Sequence, residues 1–197
     1  MGGHPIPASG GAPLVIDFPF ASGFPIHAPI MLSTPYFRAP WAASLKLMTV
    51  LLVALLLGIV LIGLFGGDID NGLWWLAMVM MPLLILLVAM AFMIRGYDLE
   101  ANTLRVHRLG WYTRLDLAGL SSVEADPVAM MGSTRVFGNG GLFCFAGRFR
   151  NRQLGTYRAF ATDPRQAVVL RLRDRTVVIT PDDPEKFLDE VRKILSP

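Results

Sequence analysis

Residues 47–65 read LMTVLLVALLLGIVLIGLF, and residues 73–94 read LWWLAMVMMPLLILLVAMAFMI. No charged residue occurs between Lys46 and Asp68, and none between Asp70 and Arg95. At the α-helical rise the first stretch is about 28 Å long and the second about 33 Å, close to the hydrocarbon thickness of a bilayer. Neither has the polar face that an amphipathic surface helix needs. The bland alternative is a pair of buried core helices. A chain of 197 residues leaves too little other material to enclose two such helices all round. Both stretches are therefore expected to span a membrane.

Between them lies Gly66-Gly67-Asp68-Ile69-Asp70-Asn71-Gly72, short and acidic, so the spans are expected to form an antiparallel hairpin. Trp74 and Trp75 sit at its loop end, where indole rings suit the headgroup level. Pro82 falls inside the second span and is a candidate kink. Ala54 and Gly58, four apart, are a candidate small-residue contact between the helices. Arg38 and Lys46 precede the first span and Arg95 follows the second, while the loop carries no Lys or Arg. The positive-inside rule then puts both termini in the cytoplasm. Lys46, Trp74, Trp75 and Arg95 are the expected membrane-interface residues. The first span is too long, and begins too far along the chain, for an ordinary signal peptide.

The rest of the composition fits this division. Charged residues make up 17% of the chain, against roughly 25% in a soluble domain. A single cysteine excludes a disulfide framework and any multi-cysteine metal site. Residues 1–44 are Pro- and Gly-rich without sustained periodicity, and are expected to be disordered. Met31 is an alternative start within them. Residues 45–95 form the hairpin. Residues 96–197 form a cytoplasmic domain that, with Arg95, holds all the basic residues except Arg38 and Lys46. The sequence pI is about 9.4, but the net charge is only +3, and a tether to a bilayer explains the basic residues more simply than nucleic acid does.

The pattern of this domain is that of short strands. Tyr97–Glu100, Thr103–Leu109 and Trp111–Leu117 are separated by turns at Ala101-Asn102 and Gly110, and Ser122–Ala125 is a further short strand. Leu142–Phe149 and Leu154–Ala161 flank a turn at Asn151-Arg152. Ala167–Leu172 and Thr176–Thr180 flank Asp174-Arg175 as the clearest hairpin. The last element is a helix, capped by Asp182 or Asp183 with Pro184 in its first turn. Its apolar stripe is Phe187, Leu188, Val191, Ile194 and Leu195. The fold class is α+β: a transmembrane helical hairpin, then a mainly-β domain with a C-terminal helix to lay across an open sheet.

Several runs carry a resemblance. Arg135-Val136-Phe137-Gly138-Asn139-Gly140-Gly141-Leu142-Phe143, then Phe145–Asn151, Leu154–Asp163 and Val177–Pro184, resemble the bacterial pleckstrin-homology (PH)-like domain family over about residues 96–195. The resemblance implies a seven-stranded barrel capped by a C-terminal helix, commonly preceded by two membrane spans. The membrane so spanned is then the bacterial inner membrane. It implies no general activity. Eukaryotic PH domains that bind phosphoinositides carry basic residues around their first hairpin. Here that turn is Glu100-Ala101-Asn102-Thr103, with Arg105 the first basic residue, so phosphoinositide specificity has no support.

Two candidate sites stand out. Phe137, Gly138, Asn139, Gly140 and Gly141 form a glycine-rich run, of the kind that can aim N–H groups at a phosphate, but it lacks the Gly-Lys-Ser/Thr of a P-loop and the spacing of G-x-G-x-x-G. The plainer reading is a positive-φ turn with aromatic anchors. Arg148, Arg150 and Arg152 alternate, as do Arg171, Arg173 and Arg175, and each set is expected on one strand face where it meets either anionic headgroups or plain solvent. His4, His27 and His107 are scattered, and Cys144 between two phenylalanines reads as a small core residue. No nucleophile with its base can be assembled, and no metal or cofactor set. The expected role is a non-enzymatic interaction module, with the lipid bilayer and a protein or a second copy of itself as partners. The alternative is a sensor of anionic lipid or of a small anion.

Overall fold

A computed structural model describes residues 35–66, 71–100 and 102–195. Helix α1 (Ala43–Phe65) and helix α2 (Gly72–Ala91) are long and apolar enough to cross a membrane, and only 17% of the most apolar stretch of each is buried. The other described residues do not cover them: Leu51, Leu55, Leu61, Leu84 and Leu87 are all exposed. α2 stops short of the expected boundary at 94 because Ile94 already opens a strand and is fully buried there. Residues 67–70 of the connecting loop lie outside the described residues.

The two helices meet at a different glycine from the expected one. A Cβ at Gly58 would touch nothing within 4 Å, and Ala54 is exposed. A Cβ at Gly63 would lie 2.7 Å from Met78 Cβ. Beside it the Trp74 indole N–H donates to the Gly63 carbonyl at 3.1 Å. Asn71 caps α2 by accepting from the N–H groups of Leu73 and Trp74. A π-helical turn, Leu76–Met80, precedes Pro82 and widens the helix where the ring would crowd the Met78 carbonyl.

Among the described residues ten strands form two sheets. β1 (Tyr36–Arg38), β2 (Ile94–Glu100), β3 (Thr103–Arg108) and β4 (Tyr112–Asp116) form an antiparallel sheet in that order. The others are β5 (Leu120–Ala125), β6 (Thr134–Gly140), β7 (Phe145–Asn151), β8 (Gly155–Ala161), β9 (Val168–Leu172) and β10 (Thr176–Ile179), in the order β5-β9-β10-β8-β7-β6. β8 and β10 pair in parallel, and the other pairs are antiparallel. The strand count therefore exceeds the seven expected from the resemblance. β6 accounts for part of the excess: its glycines hide a strand inside what reads as a turn.

Strand β1 also corrects the expectation of a disordered stretch up to residue 44. Tyr36, Phe37 and Arg38 pair with Asp98, Tyr97 and Gly96. Phe37 is buried with its ring 5.2 Å from that of Phe187. Three residues are too short a run for local periodicity to report; the pairing is made by a strand 58 to 62 positions away. Residues 1–34, with His4, His27 and Met31, lie outside the described residues.

Helix α3 (Pro184–Leu195) is capped by Asp183, whose carboxylate accepts from Lys186 N at 3.0 Å. Asp182 does other work: its carboxylate accepts from Arg38 N at 3.1 Å. Phe187, Leu188 and Val191 then enter a core shared by both sheets, with Ile94, Tyr97, Val106, Leu170 and Ile179. The centre of the larger sheet is buried on its other face as well, where Val169, Val178, Ala159 and Tyr157 pack together. This is why β9 and β10 read as continuous apolar runs.

Candidate functional site

The glycine-rich run is a docking hairpin. Gly138 (φ +108°) and Gly147 (φ +150°) face each other across β6 and β7. A Cβ on Gly138 would strike the Ala146 carbonyl oxygen, and one on Gly147 the Phe137 carbonyl oxygen. In the turn beyond, the Asn139 side-chain oxygen accepts from the N–H groups of Gly141 (3.2 Å) and Leu142 (3.1 Å). Phe143 N donates to Thr49 Oγ1 at 3.1 Å, and the Thr49 hydroxyl lies 3.4 Å from the Gly141 carbonyl. Thr49 belongs to α1 and is buried. The Phe143 ring meets Trp41 edge to face. The N–H groups that a phosphate would need are thus taken by Asn139 and Thr49. The run fastens the β-domain to the start of α1 and does not cradle an anion.

The end of α2 is held by the other side of the domain. An α-helix leaves its last carbonyls without helical partners. Here Trp111 Nε1 donates to the Ala91 carbonyl at 3.0 Å, Arg108 donates to the Phe92 carbonyl at 2.6 Å, and the Cys144 thiol donates to the same oxygen at 3.4 Å. Arg108 also donates to Thr113 Oγ1 at 3.1 Å, and its guanidinium lies against the rings of Phe92 and Trp111. A cation at this end of a helix also opposes the negative pole of its dipole. Burial pulls the Arg108 pKa down, and the neighbouring Arg158 pulls the same way, yet a guanidinium stays charged. Sequence reasoning missed Arg108, although Leu104, Val106 and Arg108 share one parity of β3 and all three are buried.

Between α2 and the β6–β7–β8 face lies a groove of about 1440 Å³. Leu84, Ile85, Val88 and Ala89 of α2, with Phe92 just after its end, form one wall. Val136 and Phe137 form the opposite rim; Val136 is a bulge residue skipped in the pairing with β7, and both side chains are exposed. Arg108, Arg148, Arg158 and Arg175 line the same groove, with Asp174 the one acidic lining residue. Arg148 and Arg158 stand directly opposite each other on neighbouring strands. Arg158 also lies over the Phe160 ring, 4.9 Å from its centre.

The structure divides the expected arginine stripes. Arg148 lines the groove, Arg150 lies further along β7 outside it, and Arg152 is in the turn after the strand. Arg171 is paired with Glu124 at 2.9 Å, whereas Arg175 lines the groove and donates to the Asp116 carbonyl. Lys46 is exposed near the start of α1, and Arg95 is exposed just after α2, so both lie at the domain end of the hairpin. Trp74 and Trp75 lie in the first turn of α2, at the far end. At the first hairpin of the domain Arg105 is engaged by Glu100. Among the described residues no three His, Cys, Asp or Glu side chains converge on a point; His107 and Asp98 approach as a pair, at 3.0 Å.

Residues 95–195, just over half of the chain, match the family described as Bacterial PH domain. No curated protein and no solved structure matches the chain.

Proposed function

The chain belongs to the bacterial PH domain family, and from that membership we propose that it is a membrane-anchored, non-enzymatic interaction module. α1 and α2 cross the inner membrane, and the β-domain stands on its cytoplasmic face. The observation that carries this reading is the double attachment of an uncovered apolar hairpin. The hairpin is tied to the domain at its start through Thr49, and at its end through Arg108 and Trp111. The positive-inside rule supports the orientation, because Arg38, Lys46 and Arg95 all lie at the domain end. So held, the domain offers the outer strand β6 for pairing with a protein partner or a second copy. Confinement to the bilayer surface raises the local concentration of both.

The test is photocrosslinking in intact cells, with the reactive residue placed at Thr134 or Val136 on β6. A discrete protein adduct, lost when β6 is capped by proline substitutions, is the expected outcome. Adducts no more abundant than those from an exposed site on α3 overturn protein recognition through this edge. A second reading, recognition of an anionic ligand at the inner leaflet, is favoured by one specific observation: the four arginines of the groove.

A further inference from the structure

We infer that the groove between α2 and the β6–β7–β8 face holds one anionic glycerophospholipid, its phosphate at Arg148 and Arg158 and an acyl chain along Leu84, Val88 and Phe92. The inference deepens the second reading and rests on it.

The groove is chemically two-sided. Its helix wall is wholly apolar, and its other wall carries Arg148, Arg158 and Arg175 against the single carboxylate of Asp174, with Val136 and Phe137 at the rim. A small soluble anion would leave the apolar wall uncovered, and a plain hydrocarbon would leave the guanidiniums without counter-charge. A molecule with a phosphate joined to an acyl chain meets both. The volume of about 1440 Å³ also exceeds the roughly 300–1,000 Å³ usual for small-ligand pockets.

The charges ask for an anion from outside the chain. Like charges directly opposite on paired strands are destabilising, and Arg148 and Arg158 are such a pair. Among the described residues no carboxylate is paired with either one. Arg108 does not neutralise them, being itself a cation already committed to the Phe92 carbonyl. Guanidinium groups bind phosphate with two parallel hydrogen bonds, which suits a headgroup held between two of them.

The apolar wall belongs to the element that the bilayer solvates. From Leu84 to Phe92, just past the helix end, is a rise of about 12 Å, most of the depth of one leaflet's hydrocarbon. A lipid already lying against α2 reaches the groove without leaving the membrane. The bulge at Val136 turns two apolar side chains outward at the rim, where they face that chain.

The test is native mass spectrometry of the full chain, released from bacterial membranes in a mild detergent, with extracted lipids identified. The wild-type chain is expected to retain one anionic phospholipid, enriched over its share of the membrane. The double variant Arg148→Gln/Arg158→Gln and the groove-filling variant Val88→Trp are each expected to lose it at least tenfold. Arg150→Gln/Arg152→Gln, outside the groove, is expected to keep it. A melting curve in the same detergent identifies variants that have lost the fold; for those, Val136→Ser at the rim replaces the failed variant.

If Val88→Trp retains the lipid while the arginine variant loses it, anion recognition stands and the lodged acyl chain is overturned. If glycerol phosphate competes as well as the whole lipid, the ligand is a small anion and the inference again fails. If no variant changes retention and no headgroup is enriched, both the inference and the anionic reading fall.

Discussion

Arg108 occupies a position that alternation reserves for an apolar side chain, and its burial is repaid by the carbonyl of Phe92 at the end of α2. Gly147 is constrained in the opposite sense, by what cannot be added. Its positive φ and the facing Phe137 carbonyl leave no room for a Cβ. Gly147→Ala is expected to cost about 1–3 kcal/mol, read as a lower denaturation midpoint in detergent, whereas Gly155→Ala adds a Cβ with nothing within 4 Å and bears only its φ penalty. Cys144 supplies a pH test. Burial pushes its thiol up from the ordinary value of 9.0 to about 11, and burial raises the Tyr97 hydroxyl as well. The thiol's contribution is intact below pH 9 and is lost as pH rises toward 11, because the unfolded chain ionises first. Stability should fall through that window by up to about 1.4 kcal/mol per pH unit for this one group. Cys144→Ser keeps a donor near Phe92 and does not titrate there, so its alkaline unfolding curve should be flatter. An equally steep curve would assign the loss to other groups.

At the scale of elements, the hairpin and β6 follow the same rule: a small residue marks a close approach only where something approaches. Gly58 and Gly63 look alike along the chain, but only Gly63 faces Met78. Gly63→Val should therefore separate α1 from α2 and lower the melting temperature in detergent, while Gly58→Val should leave it nearly unchanged. Equal effects would mean that the helices do not pack at Gly63. β6 is a strand despite its glycines because Gly138 and Gly147 let two backbones pass at short range, and the turn beyond them is filled by Asn139 and Thr49. The apolar helix α1 and a β-hairpin are thereby joined through side-chain and backbone groups that neither could satisfy alone.

For the whole molecule, the hairpin is an insertion between two paired strands. β1 precedes α1, β2 follows α2, and the two lie side by side. Ala39 N donates to the Arg95 carbonyl and Ala42 N to the Thr162 carbonyl, which extends the tie. Both feet of the hairpin thus stand on one domain. Phe37 carries the coupling furthest, reaching from before the first helix to Phe187 near the end of the chain. Phe37→Ala should cost about 3–5 kcal/mol, as for a large aromatic removed from a core, and should release β1 to proteolysis between residues 35 and 42. Loss of stability without cleavage there would show that Phe37 only fills space.

Hydrophobic run length and charge placement along the chain were enough for two apolar helices, since a helix that water cannot solvate needs no partner to be recognised. Alternation was enough for most strands, for the hairpin at Asp174-Arg175 and for the stripe of α3, because burial of one face leaves a period that neighbours in sequence share. Other features have no such local trace. β1 is too short to show a period, the cap falls to Asp183 and not Asp182 because β1 claims the latter, and Arg148 finds Arg158 and the wall of α2 only once β8 and the helix are in place. Those pairings join residues far apart along the chain, and their energy comes from contacts that exist only after the chain has closed on itself.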